Sequence, residues 1–358
     1  MKIVTILGTR PEIIRLSLII KKLDKHSNHT VIHTGQNYSS SLKDIFFEQL
    51  KLKKPDFYLN ATDSSIGPQL SKILGETYKI LEKIKPDKVL ILGDTNSGLA
   101  SIIAEKMMIP VYHMEAGNRC YDLLVPEEKN RHIIDAISSY NLPYTPGSYN
   151  NLIREGHSPK NTIITGNPIN EVLISFKKEI DESIILENLN LKKKNYFIVT
   201  SHRAENVDNQ QRLKEIFKGL DLIAREYKVP IIVSLHPRTR EKMKKFNIMP
   251  TNNLIKLLEP MGFFDFVKLE KNAICAISDS GTVQEECCIL RVPTVTIRMT
   301  TERPETIECG SNILSGLNSD KILKCVKIML KRKTNWKQPK GYSDKNVSEK
   351  IIKIILNK

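Results

Sequence analysis

The stretch KIVTILGTRPEIIR, residues 2–15, decides the fold class. Residues 2–7 form an apolar run typical of a buried strand, and Gly8 permits a tight turn after it. Pro11 suits the first position of a helix, so the stretch predicts a strand that leads directly into a helix. Short apolar strands and helical patterns alternate in this way along the chain, which predicts an α/β protein with parallel sheets.

The alternation divides into two series of strands. The first is predicted at 2–7, 30–34, 88–92, 110–114 and 162–164, and the second at 195–200, 230–235, 254–257, 273–277, 293–297 and 311–314. Helices are predicted between them, among them 97–107 and 281–289. We therefore predict two Rossmann-like doubly wound domains, residues 1–166 and 167–345, facing each other across a cleft. Residues 346–358 are expected to form a helix that returns to the first domain.

Composition and charge argue against several classes of protein. The chain has 358 residues, 40% of them hydrophobic, and no apolar run near the roughly 20 residues of a membrane span. The net charge of +15 comes mostly from scattered lysines without a nucleic-acid motif, so we expect neither a nucleic-acid nor a membrane partner. The six cysteines lack CxxC or zinc spacing, and the first residues lack the pattern of an export signal. A cytoplasmic protein without a metal site is expected.

Carboxylates and a histidine follow several of the predicted strands. Asp94 lies in GDTNSG, Glu115 in HMEAGNR and Glu127 in VPEEKNR. His202, in SHRAEN, is the best placed of the eight histidines, and His236 in LHPR is a weaker candidate. The carboxyl ends of parallel strands meet at one edge of a sheet, so this set predicts acid–base chemistry. Asp94 could also cap a helix, and Glu127 could serve only the helix dipole.

The sequence SDSGTVQEE, residues 278–286, predicts an anion-binding helix start. Ser280, Gly281 and Thr282 stand between an apolar strand and a helix, where backbone N–H groups and the helix dipole favour an anion. Asp279 or Ser280 could instead only cap the helix.

A cation that matches this anion site is predicted in the first helix. Arg10 lies at its start, where it could clamp a phosphate, and Arg15 lies one turn further on. Glu286 could accept two hydrogen bonds from a ribose. The chain has neither the GxGxxG dinucleotide pattern nor a P-loop, so a nucleotide-sugar is the favoured ligand. Two classes remain open, a glycosyltransferase and an enzyme that rearranges the sugar itself.

Seven motifs resemble, in order, those of the non-hydrolysing UDP-N-acetylglucosamine 2-epimerases: GTRPE, GDT, HMEAG, PEExNR, SHRxEN, SDSGxxQEE and TTERPE. The resemblance covers nearly the whole chain. It implies two Rossmann-like domains of the glycosyltransferase-B type, a homodimer, a UDP-sugar substrate and no cofactor. It also implies inversion of carbon 2 by elimination of UDP and re-addition through a glycal intermediate, in the supply of precursors for bacterial surface polysaccharides.

Matched motif by motif, the resemblance implies a catalytic set and a substrate-binding set. The catalytic set is Asp94, Glu115, Glu127 and His202. The substrate-binding set is Arg10, Ser280, Gly281 and Thr282 at the diphosphate, Glu286 at the ribose, Phe266 at the uracil, and Arg15, Arg119 and His236 elsewhere on the substrate. Phe266 could equally be a helix core residue.

Departures from the family pattern bear on substrate and regulation. The family commonly has lysine where Arg15 stands and glycine where Thr282 stands. The segment EAGNRCYDLLVPEE is shorter than in enzymes that act on UDP-N-acetylglucosamine. It resembles the branch that forms UDP-N-acetyl-L-fucosamine from the L-talose derivative, so the choice of sugar stays open. The Gln36-Asn37-Tyr38 region differs from that of members regulated by a second UDP-N-acetylglucosamine, and allosteric control is not expected.

Overall fold

The chain divides into two compact units. The computed structural model describes residues 1–35, 40–62 and 65–357. The first unit is Met1–Ser175 with Lys340–Lys358, and the second is Phe176–Pro339. The sequence prediction had placed these divisions at residues 166 and 345.

The first unit contains a six-stranded parallel sheet. Its strands are β1 (Lys2–Leu7), β2 (Asn28–His33), β3 (Phe57–Tyr58), β4 (Lys88–Leu92), β5 (Val111–Met114) and β6 (Tyr140–Leu142). They lie in the order β3-β2-β1-β4-β5-β6, in which Val4 pairs with Thr30 on one side and Val89 on the other. This is the doubly wound order, and the chain reverses direction across the sheet between β1 and β4.

The second unit repeats this topology. Its strands are β7 (Phe197–Thr200), β8 (Ile231–Ser234), β9 (Ile255–Leu258), β10 (Cys275–Ser278), β11 (Thr294–Thr296) and β12 (Asn312–Leu314). Their order is β12-β11-β10-β7-β8-β9, so the reversal falls between β7 and β10. The predicted class, an α/β protein with two doubly wound sheets, is confirmed.

Helices cover the two sheets. In chain order they are α1 (Arg10–His26), α2 (Ser40–Gln49), α3 (Ile66–Ile84), α4 (Ser101–Lys106), α5 (Pro126–Ile137), α6 (Pro146–Arg154), α7 (Ile169–Ser175), α8 (Lys177–Glu182), α9 (Ile185–Asn188), α10 (Ala204–Val207), α11 (Gln210–Tyr227), α12 (Pro237–Lys245), α13 (Phe263–Asn272), α14 (Gly281–Leu290), α15 (Pro304–Glu308), α16 (Ser319–Lys331) and α17 (Val347–Asn357). Among the described residues, no helix is both long enough and apolar enough to cross a membrane.

Burial on both faces explains why the central strands are almost wholly apolar. All five residues of β4 and all four of β10 are buried, as expected for strands covered by helices on both sides. In the first unit the sheet packs with α3, the segment before α4 and α5, through Ile73, Leu99 and Ile134 respectively. The cores therefore hold the strand ends in fixed positions.

The last helix belongs to the first unit. Helix α17 packs against α1 and buries Val347, Ile351 and Ile355. Lys88 donates from Nζ to the carbonyl of Ile355 at 2.5 Å, and Ser348 donates from Oγ to Glu171 at 2.5 Å.

Four elements differ from the sequence prediction. The predicted strand 162–164 is wrong, because only an isolated bridge joins Asn141 to Thr162. Strands β3 and β6 are too short for an apolar pattern to reveal them. The predicted helix 97–107 is divided into a 3-10 turn, Asn96–Ala100, and α4. At Gly98 in this turn an added Cβ would lie 2.6 Å from the end of the Ile134 side chain, which would have to move aside.

Candidate active site

The predicted site residues lie at or just beyond the carboxyl ends of strands, as two groups, one in each unit. The first-unit group is Arg10 and Arg15 after β1, Asp94 after β4, Glu115 and Arg119 after β5, and Glu127 at the start of α5. The second-unit group is His202 after β7, His236 after β8, Phe266 in α13, and Ser280, Gly281, Thr282 and Glu286 after β10. Ligands of open α/β sheets bind at such strand ends.

The turn after β1 is fixed by Glu12. Its carboxylate accepts hydrogen bonds from the backbone N–H groups of Gly8 at 2.5 Å and Thr9 at 3.0 Å, and from the hydroxyl of Thr95 at 2.6 Å. Burial raises the pKa of Glu12 to about 7, against the opposing effect of these bonds. Arg10 follows, half-buried, with its guanidinium 5.9 Å from the ring of Phe46. Glu12 thus occupies the backbone donors of Gly8 and Thr9, and the binding of an anion by the guanidinium of Arg10 stays a prediction.

Glu115 ends β5 in an unusual conformation. Its φ is 68°, in the left-handed region that residues other than glycine seldom adopt. The side chain is buried, and its Oε2 accepts a hydrogen bond at 2.5 Å from Nη1 of Arg15, which is also buried. Arg15 was predicted to bind substrate, and the structure pairs it with a predicted catalytic carboxylate.

Asp94 is held by an arginine that the sequence prediction did not single out. Arg131 donates from Nε to Asp94 at 2.6 Å and from Nη1 to Glu128. Glu128 also accepts from the backbone N–H groups of Cys120 and Tyr121, at 3.1 and 2.8 Å. Burial acts to raise the pKa of Glu128, but the Arg131 guanidinium and the N–H donors outweigh it, so the pKa is lowered. Glu128 therefore stabilises the segment, whereas its neighbour Glu127 is only half-buried.

Arg119 serves the loop after β5. Its buried side chain donates to Asp135 at 2.7 Å and to Glu155 at 2.5 Å. Asp135 in turn contacts His113 at 2.8 Å and accepts from the backbone N–H of Gly117 at 3.1 Å. These contacts occupy the guanidinium inside the unit and favour a structural role, in place of the substrate contact predicted for Arg119.

In the second unit, Asp279 organises the loop that carries His202. Its carboxylate accepts from the hydroxyl of Ser201 at 2.9 Å, from the backbone N–H groups of His202 and Arg203 at 3.1 Å, and from the side chain of Asn206 at 2.9 Å. Asp279 therefore connects the end of β10 to the loop after β7.

The alternative that Asp279 or Ser280 only caps α14 is not favoured by this geometry. Ser280 occupies the N-cap position, but its side chain makes no capping hydrogen bond. Both carboxylate oxygens of Asp279 accept hydrogen bonds from the loop after β7. The helix start thus retains the properties that attract an anion.

The two predicted histidines lie together. The ring centroids of His202 and His236 are 5.5 Å apart. His202 Nδ1 lies 3.5 Å from Oδ1 of Asp279, and the side chain is 38% exposed, so it is accessible for proton transfer. His236 caps α12, because its Nδ1 accepts from the backbone N–H of Arg238 at 3.2 Å. Its neutral form therefore carries the proton on Nε2.

Buried ion pairs surround the start of α14. Glu302 accepts from Arg203 at 2.9 Å and from Arg298 at 2.7 Å, and Arg303 donates to Glu285. A Cβ on Gly281 would lie 2.9 Å from Oε1 of Glu302, so a side chain there would displace this network. The sequence had marked TTERPE as a motif without assigning a role to Glu302 or Arg303.

The remaining predicted residues lie beside this network. Glu286 is buried on α14, and Phe266 on α13 packs against a core cluster of the second unit while part of its ring stays accessible. This position is compatible with both interpretations of Phe266, a core residue of its helix and a residue that packs on uracil. Residues 36–38, on which the prediction about allosteric control rests, lie outside the described residues.

Comparisons with family models, with protein sequences and with solved structures all identify the same family. The family model described as UDP-N-acetylglucosamine 2-epimerase matches residues 21–356. The UDP-N-acetylglucosamine 2-epimerase of Methanocaldococcus jannaschii is 46% identical over 369 residues that cover 99% of each chain. The crystal structure of the enzyme of that organism in complex with UDP-GlcNAc and UDP has a TM-score of 0.96 at 45% identity, with complete coverage of both chains. The enzyme from Neisseria meningitidis bound to UDP-GlcNAc has a TM-score of 0.91 at 29% identity, also with complete coverage.

These matches confirm the resemblance found in the sequence, and they do so over the full length of the chain rather than at isolated motifs. The chain belongs to the UDP-N-acetylglucosamine 2-epimerase family.

Proposed function

We propose that the chain interconverts UDP-N-acetylglucosamine and UDP-N-acetylmannosamine. The observation that carries the proposal is Glu115, a buried carboxylate kept at a strand end in a left-handed backbone conformation. Other residues with positive φ, such as Lys51 and Lys85, are exposed, whereas Glu115 is buried, and strained buried residues cluster at active sites. The Methanocaldococcus jannaschii relative, whose complex contains UDP-GlcNAc and UDP, supports the choice of sugar.

The proposed reaction is an elimination followed by an addition. A base removes the proton from carbon 2 while the bond from carbon 1 to the diphosphate oxygen breaks, which gives a 2-acetamidoglycal and UDP. The same bond then forms again, and carbon 2 receives a proton on the opposite face. Both steps need positioned acids and bases, and Asp94, Glu115, Glu127 and His202 supply them in this proposal.

The leaving diphosphate needs stabilisation of its charge. We assign this to Arg10 and to the start of α14, where Gly281 and Thr282 present backbone N–H groups, and Ser280 its hydroxyl, to phosphate oxygens. The backbone N–H of Ser280 donates to Oγ of Ser278 at 2.9 Å. In the same assignment Glu286 accepts hydrogen bonds from the ribose, and the accessible part of Phe266 packs on uracil.

His202 is the proposed proton carrier of the second unit. The carboxylate of Asp279 lies 3.5 Å from its Nδ1 and also binds its backbone N–H. A carboxylate beside the ring fixes the direction of the imidazole. The ring of His236 lies beside that of His202, with 5.5 Å between the two ring centroids.

A second candidate substrate is favoured by the short segment after Glu115. In the structure this segment continues through Tyr121, also at positive φ (57°), to Leu123 and Leu124, which are 63% and 88% exposed. The same elimination and addition on UDP-2-acetamido-2,6-dideoxy-L-talose would give UDP-N-acetyl-L-fucosamine.

Deuterium exchange tests the reaction and the substrate together. Purified protein is incubated in deuterium oxide with either UDP-sugar and no other reactant, and carbon 2 is observed by NMR. We expect deuterium at carbon 2 together with the epimer of the sugar that is accepted. A glycosyltransferase would leave carbon 2 unlabelled and would release UDP only after an acceptor was added. No label with either sugar would refute the proposal.

The neighbours Glu127 and Glu128 provide matched controls. Glu127→Gln should reduce turnover about a hundredfold or more, because it removes a proton-transferring group, and it should lower the melting temperature less than Glu128→Gln does. Glu128→Gln should lower the melting temperature, because it replaces a carboxylate that binds Arg131 and two backbone N–H groups. Full activity of Glu127→Gln would remove Glu127 from the catalytic set.

We further propose that the enzyme is a homodimer of the cytoplasm. The family resemblance supports the dimer. All six cysteines are thiols rather than disulfides, which is in keeping with a reducing compartment. Light scattering coupled to size-exclusion chromatography measures the mass of the assembly, and the mass of a single chain would contradict the dimer.

A further inference from the structure

A second carboxyl group lies behind the proposed ribose-binding residue. Glu270, on α13, is fully buried, with no exposed surface. Within the described parts of the chain, no N–H or O–H group donates a hydrogen bond to either of its oxygens. An ionised carboxylate without donors is very unfavourable in such a place, so Glu270 is expected to carry a proton.

The contact partner of Glu270 is Glu286. The two carboxyl groups are at hydrogen-bonding distance, and both are buried. Two carboxylates in one buried site do not both ionise, because the like charges repel, and the stable arrangement is one proton held between them. Burial, first, and then the charge and hydrogen bond of Glu286 raise the pKa of Glu270 well above its ordinary value.

The other ionisable groups around the pair do not replace this proton. The hydroxyl of Tyr196 donates to the carbonyl of Leu269 at 2.6 Å. Cys287, beside Glu286, is a buried thiol whose pKa is raised by burial and by the two glutamates. Lys194 donates to the carbonyls of Lys271 and Ala273, at 3.2 and 2.9 Å.

We propose that Glu270 is a positioning residue, whose protonated carboxyl group donates to Glu286 and holds that carboxylate for the ribose hydroxyls of the nucleotide. The proposal rests on the assignment of Glu286 to the ribose. A carboxylate has about four acceptor positions, so one bond from Glu270 leaves room for the two hydroxyl groups of a ribose. Glu270 touches no substrate atom in this arrangement and acts only through Glu286.

Two substitutions separate the hydrogen bond from the volume of the side chain. Glu270→Gln keeps a donor, since the amide N–H₂ can bind Glu286, and Glu270→Met fills similar space without one. Affinity for UDP is measured by calorimetry for both variants and the wild type. We expect Glu270→Gln to stay within about twofold of the wild type, and Glu270→Met to bind UDP about tenfold more weakly. Equal affinity in Glu270→Met and the wild type would overturn the proposal.

The probe 2′,3′-dideoxyuridine diphosphate shows whether the effect passes through the ribose. This ligand lacks both hydroxyl groups, so the three proteins should bind it equally well. A loss in Glu270→Met as large for this probe as for UDP would overturn the role at the ribose. These measurements need no turnover, so they remain readable even if the epimerase reaction is not found.

The proton itself is visible by infrared spectroscopy. At about pH 6, where an exposed glutamate is ionised, the difference spectrum of wild type minus Glu270→Gln should contain the carbonyl band of a protonated carboxyl group. The band should disappear only as the pH rises through the raised pKa of Glu270. A difference spectrum that contains only carboxylate bands at that pH would overturn the shared proton.

Discussion

Arg15 and Glu115 form a buried ion pair, with 2.5 Å between Nη1 and Oε2, that joins helix α1 to the end of strand β5. The pair does two things. It neutralises a carboxylate that would otherwise be costly to bury, and it fixes the direction of that carboxylate at the strand end. The strained conformation of Glu115 is thus held from the side-chain end as well as by the backbone.

Arg15→Met should lower the free energy of unfolding by about 3–5 kcal/mol, because it leaves the buried charge of Glu115 without its arginine. Arg15→Lys keeps a positive charge and should cost much less. Urea denaturation at neutral pH compares the two variants with the wild type. If Arg15→Met were as stable as Arg15→Lys, the ion pair would have no part in holding Glu115.

Asp279→Asn should disorganise the loop that carries His202. Asparagine keeps one acceptor oxygen, which can take the place of Oδ2 and its bonds from Ser201, Arg203 and Asn206. Its N–H₂ group then faces the backbone N–H of His202, which Oδ1 of Asp279 accepts, so two donors meet. We expect turnover to fall about a hundredfold and amide hydrogen exchange at 201–206 to become faster.

Asp208→Asn is the control for this change. Asp208 accepts from the surface side chains of Arg238 and Lys242, so its replacement should leave turnover unchanged. If amide exchange at 201–206 were as slow in Asp279→Asn as in the wild type, the loop would not depend on Asp279.

Thr282→Val should weaken UDP binding by about 1–3 kcal/mol, because it keeps the shape of the side chain and removes the hydroxyl that we expect to donate to a phosphate oxygen. Thr282→Ser keeps the hydroxyl and should bind UDP as the wild type does. Calorimetry with UDP measures both. Unchanged affinity in Thr282→Val would mean that the hydroxyl makes no bond to the diphosphate.

Cys309 should be the most reactive thiol of the chain. Its Sγ lies 3.8 Å from Cys288 Sγ and 3.3 Å from Ser311 Oγ, and it is half-buried. The hydrogen bond from Cys288 is the largest of the effects that lower the pKa of Cys309 to about 6. The reactive thiolate therefore increases as the pH rises through about 6 and is nearly complete above about pH 7.

Alkylation with iodoacetamide, followed by mass spectrometry of the peptides, checks this expectation. The rate at Cys309 should level off above about pH 7, whereas buried Cys275, whose pKa is raised by burial, should react only when the protein unfolds. Cys288→Ala removes the donor and should move the rate profile of Cys309 to higher pH. A wild-type rate that still climbs steeply above about pH 8 would contradict the lowered pKa.

The sequence was sufficient for the fold class, because strands buried on both faces must be apolar along their whole length. The runs that became β4 and β10 are visible for that reason. Strands β3 and β6 have only two and three residues, so their pairing depends on neighbouring strands rather than on a pattern of their own. Their existence could not be read from sequence.

For the candidate site, sequence reasoning found residues at strand ends but not the residues that hold them. Arg131 and Asp94 are 37 positions apart, and Asp279 is 77 positions from His202, so neither contact leaves a local pattern. One signal was available for Arg131, since it stands three residues after Glu128 on a helix, where opposite charges pair. For Arg119 the motif suggested a contact with substrate, whereas its partner Asp135 lies 16 positions further along the chain, on helix α5.

The return of α17 to the first unit has a consequence for synthesis of the protein on the ribosome. The second unit is continuous in sequence, so it can fold as soon as residues 176–339 have emerged. The first unit needs α17, whose buried Val347, Ile351 and Ile355 are made after all of those residues. Until then the surface of α1 that α17 covers is exposed and open to chaperones or to aggregation. The unit that begins the chain is therefore the last to be completed.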